Sequence, residues 1–139
     1  NPEDAENSNL GKFKIFSSKT GSLLPISLKK DIPFNSKRIF IINGKKDTNR
    51  ADHAHHKCSQ YLIPIYGSID VNYENNKGKF KKKLSYKNCE GLLLKPKNWV
   101  KIKFNTMNSK LLVFCDREYE YLDYIEQYDN FLKIIVKNK

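Results

Sequence analysis

The chain has 139 residues, 39% of them hydrophobic and 29% charged, with a formal net charge of +11. That length suits one domain with a real core, and eight Phe, eight Tyr and one Trp argue against a disordered chain. No apolar run is long enough to span a bilayer, and the basic excess raises nucleic acid as a partner without deciding it.

The polar start, residues 1–10, reads as a flexible leader with no signal peptide, and residues 11–139 read as a single domain. Period-two alternation of apolar and polar residues then predicts strands at 12–16, 23–28, 37–43, 51–56, 60–66, 68–73, 79–84, 91–95, 100–105 and 110–116. Turn chemistry separates them: KTGS, NGKKDTN, ENNKG, KPKN and NTMNS. About ten short strands at hairpin spacing argue for an all-β sandwich or barrel. The end changes period. Over 121–136, Tyr121, Tyr124, Ile125, Tyr128, Phe131, Leu132 and Ile135 fall at helical spacing and predict a helix packed by one stripe.

The lysines in KFKIF (12–16) and VKIKF (100–104) alternate with apolar residues, which puts them on solvated strand faces. The densest basic run, KGKFKKK (77–83), reads as an exposed edge or hairpin. We therefore expect neither a nucleic-acid nor a membrane partner. Cys58, Cys89 and Cys115 form no CxxC pair, and Cys58 and Cys115 lie in or beside apolar runs. Buried free thiols in a reducing compartment, the cytoplasm, are the expectation.

The stretch HAHHKCSQYLIPIYG (53–67) carries the chemistry. On a strand, His53 and His55 share a face and His56 points the other way. A turn over 57–59 returns Gln60 on the next strand, and Gly67 marks another turn. The spacing resembles the first cupin motif: HxH, four residues, Glu, six residues, Gly. It departs only at Gln60, which replaces the Glu. The second cupin motif is weaker. Residues 91–105 hold Gly91, Pro96 and Asn105, but Val100 and Lys101 stand where a His is due. Two imidazoles and a neutral amide are too few donors for a tight divalent site, so no metal is expected. Two imidazoles without metal suit proton transfer near neutrality. A pair of merely structural histidines is the alternative reading.

Longer segments sharpen the resemblance. IPFNSKRIFII (32–42), NRADHAHHKCSQYLI (49–63), YGSIDV (66–71), GLLLKPKNW (91–99) and LLVFCDREYEYLDYIEQYDNFL (111–132) run in order. Together they resemble the bacterial dTDP-4-keto-6-deoxy-glucose 3,4-ketoisomerases over about residues 11–135. The resemblance implies a cupin jelly-roll barrel with a short C-terminal helical segment. It also implies a homodimer with exchanged N-terminal strands and a reaction that needs no cofactor. The ketone of a dTDP-linked keto sugar would move from C4 to C3 through an enediol, for the making of a 3-amino-3,6-dideoxy sugar.

His53 and His55 match the family's paired histidines, with their division of labour open. Arg50 and Arg38 match arginines suited to diphosphate, since a guanidinium fork fits phosphate oxygens. Gln60, Trp99 and Val100 fall at positions around the sugar. The chain departs from the family at Ala51 (Gly), Phe40-Ile41 (a tyrosine pair), Val100 (His) and Thr20 (Arg). The last three leave the C4 configuration of the product, galacto or gluco, open. Two alternatives remain at this stage. One is a 3,5-epimerase, which relies on a His–Asp pair and a Tyr and for which Asp52 and Asp70 are the nearest candidates. The other is a barrel that binds nucleotide sugar without chemistry.

Overall fold

In the computed structural model, residue 6 and residues 9–137 are described. Twelve strands are formed among them. β1 (Leu10–Lys12), β4 (Arg38–Gly44), β6 (Gln60–Tyr66), β9 (Glu90–Leu94) and β11 (Ser109–Cys115) make one antiparallel sheet in the order β1-β9-β6-β11-β4. β5 (Asn49–His55), β7 (Ser68–Asn75), β8 (Gly78–Ser85), β10 (Trp99–Phe104) and β12 (Tyr124–Ile125) make the second, in the order β12-β5-β10-β7-β8. The two sheets enclose a shared core, the all-β architecture expected from the alternation and the jelly roll implied by the family resemblance.

Alternation does most of the building. In β10, Val100, Ile102 and Phe104 are buried while Lys101 and Lys103 are exposed. β7 and β8 continue the same rows: Phe104 pairs Ile69, Ile69 pairs Leu84, and the exposed Lys101 pairs Asn72, which pairs Lys81. A one-residue slip would put the lysines in the core, so the pattern itself fixes the register. The chain changes sheets between β6 and β7 at Gly67, whose φ of +79 falls where L side chains are strained. A Cβ there would also run into Thr106 Oγ1.

The N-terminal third departs from the expected strands. The strand predicted at 12–16 is interrupted, because β1 ends at Lys12 and β2 (Phe16–Ser18) pairs instead with β3 (Gly21–Leu23). Only the start of the strand predicted at 23–28 forms. Pro25 lacks the N–H a ladder needs, and Leu28–Asp31 makes a single helical turn, α1. Asp31 closes it by accepting the Ser27 N–H at 2.7 Å. Leu24, Ile26 and Phe34 then pack beside Ile63 and Phe114 on the outer face of the first sheet. Of the expected leader, residues 1–5, 7 and 8 lie outside the described residues, and Leu10 opens β1.

The predicted C-terminal helix is also shorter. Tyr121–Asp123 is a 3-10 turn, Tyr124–Ile125 is β12, and the α-helix, α2, runs from Tyr128 to Lys137. The first residue of the aromatic stripe is not packing: Tyr121 is exposed. Its later part is, since Phe131 is fully buried against Ala54, Ile125 and Trp99. Phe131→Ala should cost about 3–5 kcal/mol of stability, the loss of a buried ring plus the cavity it leaves. Chemical denaturation reads this, and a loss below about 1 kcal/mol would mean that α2 does not brace the sheet.

Candidate active site

The site sits between the sheets, where β4, β5, β6, β10, β11 and β12 surround a cavity of about 600 Å³. Its walls are apolar in the depth (Phe40, Leu62, Ile102, Val113) and polar toward one side (Arg38, Arg50, His53, Gln60, Tyr124). That is the usual make-up of a small-molecule site, an apolar hollow with a few aimed polar groups. A second cleft of about 320 Å³ shares Ala51, His53 and Tyr124 and is edged by Asp52, Tyr119, Tyr121 and Glu126. His53 and Tyr124 therefore stand where two hollows meet.

The paired histidines share a face as their spacing requires, but their surroundings differ. His53 lines both hollows, while His55 is buried and lies behind it, ring centroids 5.1 Å apart and nearly perpendicular. Tyr124 covers both, at 5.0 Å from His53 and 4.4 Å from His55. His56 is exposed on the opposite side.

The sequence reading missed the group that holds His55. Asp123, buried on the 3-10 turn, takes the His55 Nδ1 at 3.0 Å. It also accepts the backbone N–H groups of Lys57 at 2.8 Å and Cys58 at 3.2 Å. An ionised carboxylate only accepts, so neutral His55 carries its proton on Nδ1 and leaves Nε2 as a bare lone pair. No protein group hydrogen-bonds that buried Nε2 among the described residues. The signal for Asp123 was present in the run YLDYI (121–125), but helical spacing placed it on a helix. Pairing of β12 with β5, Tyr124 opposite His55, is what delivers it.

Burial pushes the pKa of both imidazoles down. For His53 the nearby His55 adds to this, with Glu126 and Asp52 opposing. For His55 the Asp123 hydrogen bond and charge oppose, and Arg38 adds to the lowering. Both rings are therefore neutral at pH 7 and able to take a proton. Tyr124 is pushed up by burial, with the Arg38 guanidinium opposing. Arg38 itself stacks on Phe40 at 4.9 Å and on Tyr119 at 5.1 Å, so its fork is held in one place.

The other expected residues divide. Arg38, Arg50 and Gln60 line the cavity with His53. The Gln60 amide nitrogen donates to Cys115 Sγ at 3.7 Å. Val100 is a core residue packed between the sheets. Trp99 does not reach the cavity. It faces outward against Tyr128 and Phe131, and its indole N–H donates to Asp52 Oδ1 at 3.0 Å. Next to Val100 on an alternating strand, it must face the other way. Phe40 and Ile41, the departing pair, both border the cavity, with the Ile41 side chain half exposed.

Among the described residues, His55, Cys58 and Asp123 bring possible metal-ligand atoms within 4.8 Å of one another. These atoms are already engaged with their neighbours. Asp123 accepts from His55 and two backbone amides. Cys58 is pushed well up by its hydrogen bond to Cys115 and by burial, and a protonated thiol is a poor ligand. That same hydrogen bond pulls Cys115 down to about 7.

Comparison with known proteins gives the family and the fold. The family model for FdtA, described as WxcM-like, C-terminal, matches residues 6–136. The TDP-4-oxo-6-deoxy-alpha-D-glucose-3,4-oxoisomerase of Aneurinibacillus thermoaerophilus is 34% identical over 134 residues, covering 95% of this chain and 94% of that protein. The crystal structure of QdtA, a sugar 3,4-ketoisomerase from Thermoanaerobacterium thermosaccharolyticum in complex with TDP, superposes with a TM-score of 0.84. It is 34% identical and covers 93% of this chain and 94% of that one. A 3,4-ketoisomerase from Helicobacter canadensis gives a TM-score of 0.82 at 30% identity, covering 91% and 96%. The family match over nearly the whole chain, the identity to a curated 3,4-oxoisomerase and the jelly roll shared with these enzymes place the chain in the FdtA, WxcM-like family as a sugar 3,4-ketoisomerase.

Proposed function

We propose that the substrate is dTDP-4-keto-6-deoxy-glucose and that His53 is the group that moves the carbon-bound proton. The observation that carries this is the position of His53, which is neutral, faces both hollows and is backed by a buried imidazole whose other nitrogen is fixed by Asp123. The C4 carbonyl acidifies the C3 hydrogen. His53 takes that proton, an enediol forms, and a proton is returned at C4 while the oxygen-bound proton passes from O3 to O4. Tyr124 and the free Nε2 of His55 are the groups nearest to serve the oxygens. Arg38, beside Tyr124, stabilises negative charge as it develops on them. Arg50, at the rim, meets the diphosphate, which a bidentate guanidinium fits.

We read the protein as a homodimer that exchanges its N-terminal strands. The β2–β3 hairpin joins no other strand among the described residues and exposes Phe16 and Leu23. Edge strand β4 exposes Ile39 and Ile41. These are apolar surfaces of the kind a partner covers.

The His–Asp pair and Tyr124 also meet the requirement of a 3,5-epimerase, which neither Asp52 nor Asp70 satisfies. Asp52 holds Trp99, and Asp70 faces Lys81 at 3.6 Å on the outer sheet surface. One experiment separates the two. Incubation with dTDP-4-keto-6-deoxy-glucose in D2O, followed by proton NMR without added metal, should show the ketone at C3, with the C4 coupling reporting the epimer. Deuterium entering at C5 with the ketone still at C4 would identify an epimerase instead.

A further inference from the structure

We infer that Asp52 and Trp99 are positioning residues that clamp a β-bulge, and that this bulge is what turns Arg50 into the active-site cavity. The inference rests on the proposed role of Arg50 toward the diphosphate.

β5 pairs β10 with a shift between Val100 and Lys101: Val100 faces His53, but Lys101 faces Ala51 and Ile102 faces Arg50. Asp52 is the extra residue. Residues opposite one another share a face of the sheet. Val100 and Ile102 point into the core, so His53 and Arg50 both point inward. Strict alternation gives a different result. Three residues before His53, Arg50 would stand opposite Lys103, on the exposed face with that lysine. The bulge therefore puts a guanidinium and an imidazole on one side, and both line the cavity.

The bulge is costly for this sequence. Ala51 has φ +76 and Asp52 φ +63, two successive non-glycine residues in the left-handed region. Something must hold it. Among the described residues, the side chain that Asp52 holds is Trp99, whose indole N–H donates to it at 3.0 Å. Trp99 is itself pinned by Tyr128 at 5.3 Å and Phe131 at 5.6 Å. Helix α2 thus holds Trp99, Trp99 holds Asp52, and Asp52 holds the bulge. An outward-facing tryptophan that does not line the cavity thereby acquires a role in binding.

Trp99→Phe keeps the ring packing and removes the N–H. Asp52→Ala removes the acceptor. Asp52→Asn keeps an oxygen acceptor and suits the left-handed conformation, so it is the conservative control. Affinity for dTDP, measured by calorimetry well below each variant's melting temperature, should fall about tenfold in the first two, roughly one hydrogen bond to a charged group. It should stay within about twofold of wild type in Asp52→Asn. Arg50→Ala should cost less in the Trp99→Phe background than alone, because the two act through one device. Without any ligand, amide hydrogen exchange over residues 49–53 should quicken by about tenfold in Trp99→Phe and Asp52→Ala but not in Asp52→Asn. Unchanged exchange, or dTDP affinity that survives both variants, overturns the clamp. If wild type does not bind dTDP while the exchange pattern holds, the substrate reading fails and the clamp stands.

Discussion

Replacing His53 with Asn should lower turnover by about a thousandfold, in the range of a lost general acid–base group, while affinity for dTDP stays within about threefold. The separation follows from geometry. His53 stands at the junction of the two hollows, and the proposed diphosphate contact comes from Arg50, another residue of the cavity lining. Steady-state kinetics with the 4-keto sugar, beside calorimetry with dTDP, reads both quantities. An equal loss of binding and turnover would make His53 a binding residue and return the carbon-base role to His55.

The same assignment fixes a pH dependence. A base must be neutral to act, and His53 is held below the ordinary histidine value of 6.5, first by burial and then by the neighbouring His55. The acid limb of kcat/KM should therefore bend below pH 6.5, and activity should be flat from there through neutrality. A bend at or above 6.5 would contradict a buried, repelled imidazole as the base.

Asp123→Asn is the second large effect. The amide keeps the shape but cannot make all the contacts of the carboxylate, which accepts from His55, Lys57 and Cys58 at once. The His55 proton loses its fixed place on Nδ1, and with it the bare Nε2 that the proposed mechanism uses. We expect turnover to fall about a hundredfold or more, and stability to fall by about 2–4 kcal/mol because a buried charge-assisted network is broken. Asp123 raises the His55 pKa, so its removal should move the His55 titration further down, an imidazole NMR shift that simple destabilisation would not produce. An unchanged titration would mean that the carboxylate only ties loops together.

Strands β4 to β11, most of their inward and outward faces, and the shared face of His53 and His55 are legible in the chain. Each is a local consequence of period-two patterning and of residues such as Gly67 that force a turn. The same reading places the lysines of β10 on solvent, while Arg38 and Gln60, which line the cavity with His53, came from the family resemblance.

Three features of the site needed the tertiary structure. Asp123 meets His55 across 68 positions of sequence, and helical spacing at 121–125 gave way to a turn and a short strand because β5 offers an edge to pair with. Trp99 faces away from the cavity because Val100 beside it faces in, and its value lies in what it holds. Arg50 faces in only because one extra residue in β5 breaks the alternation. Local pattern sets which side chains a strand offers. Register shifts and pairings between distant segments depend on the packing of the whole sheet, and no short window of sequence contains them.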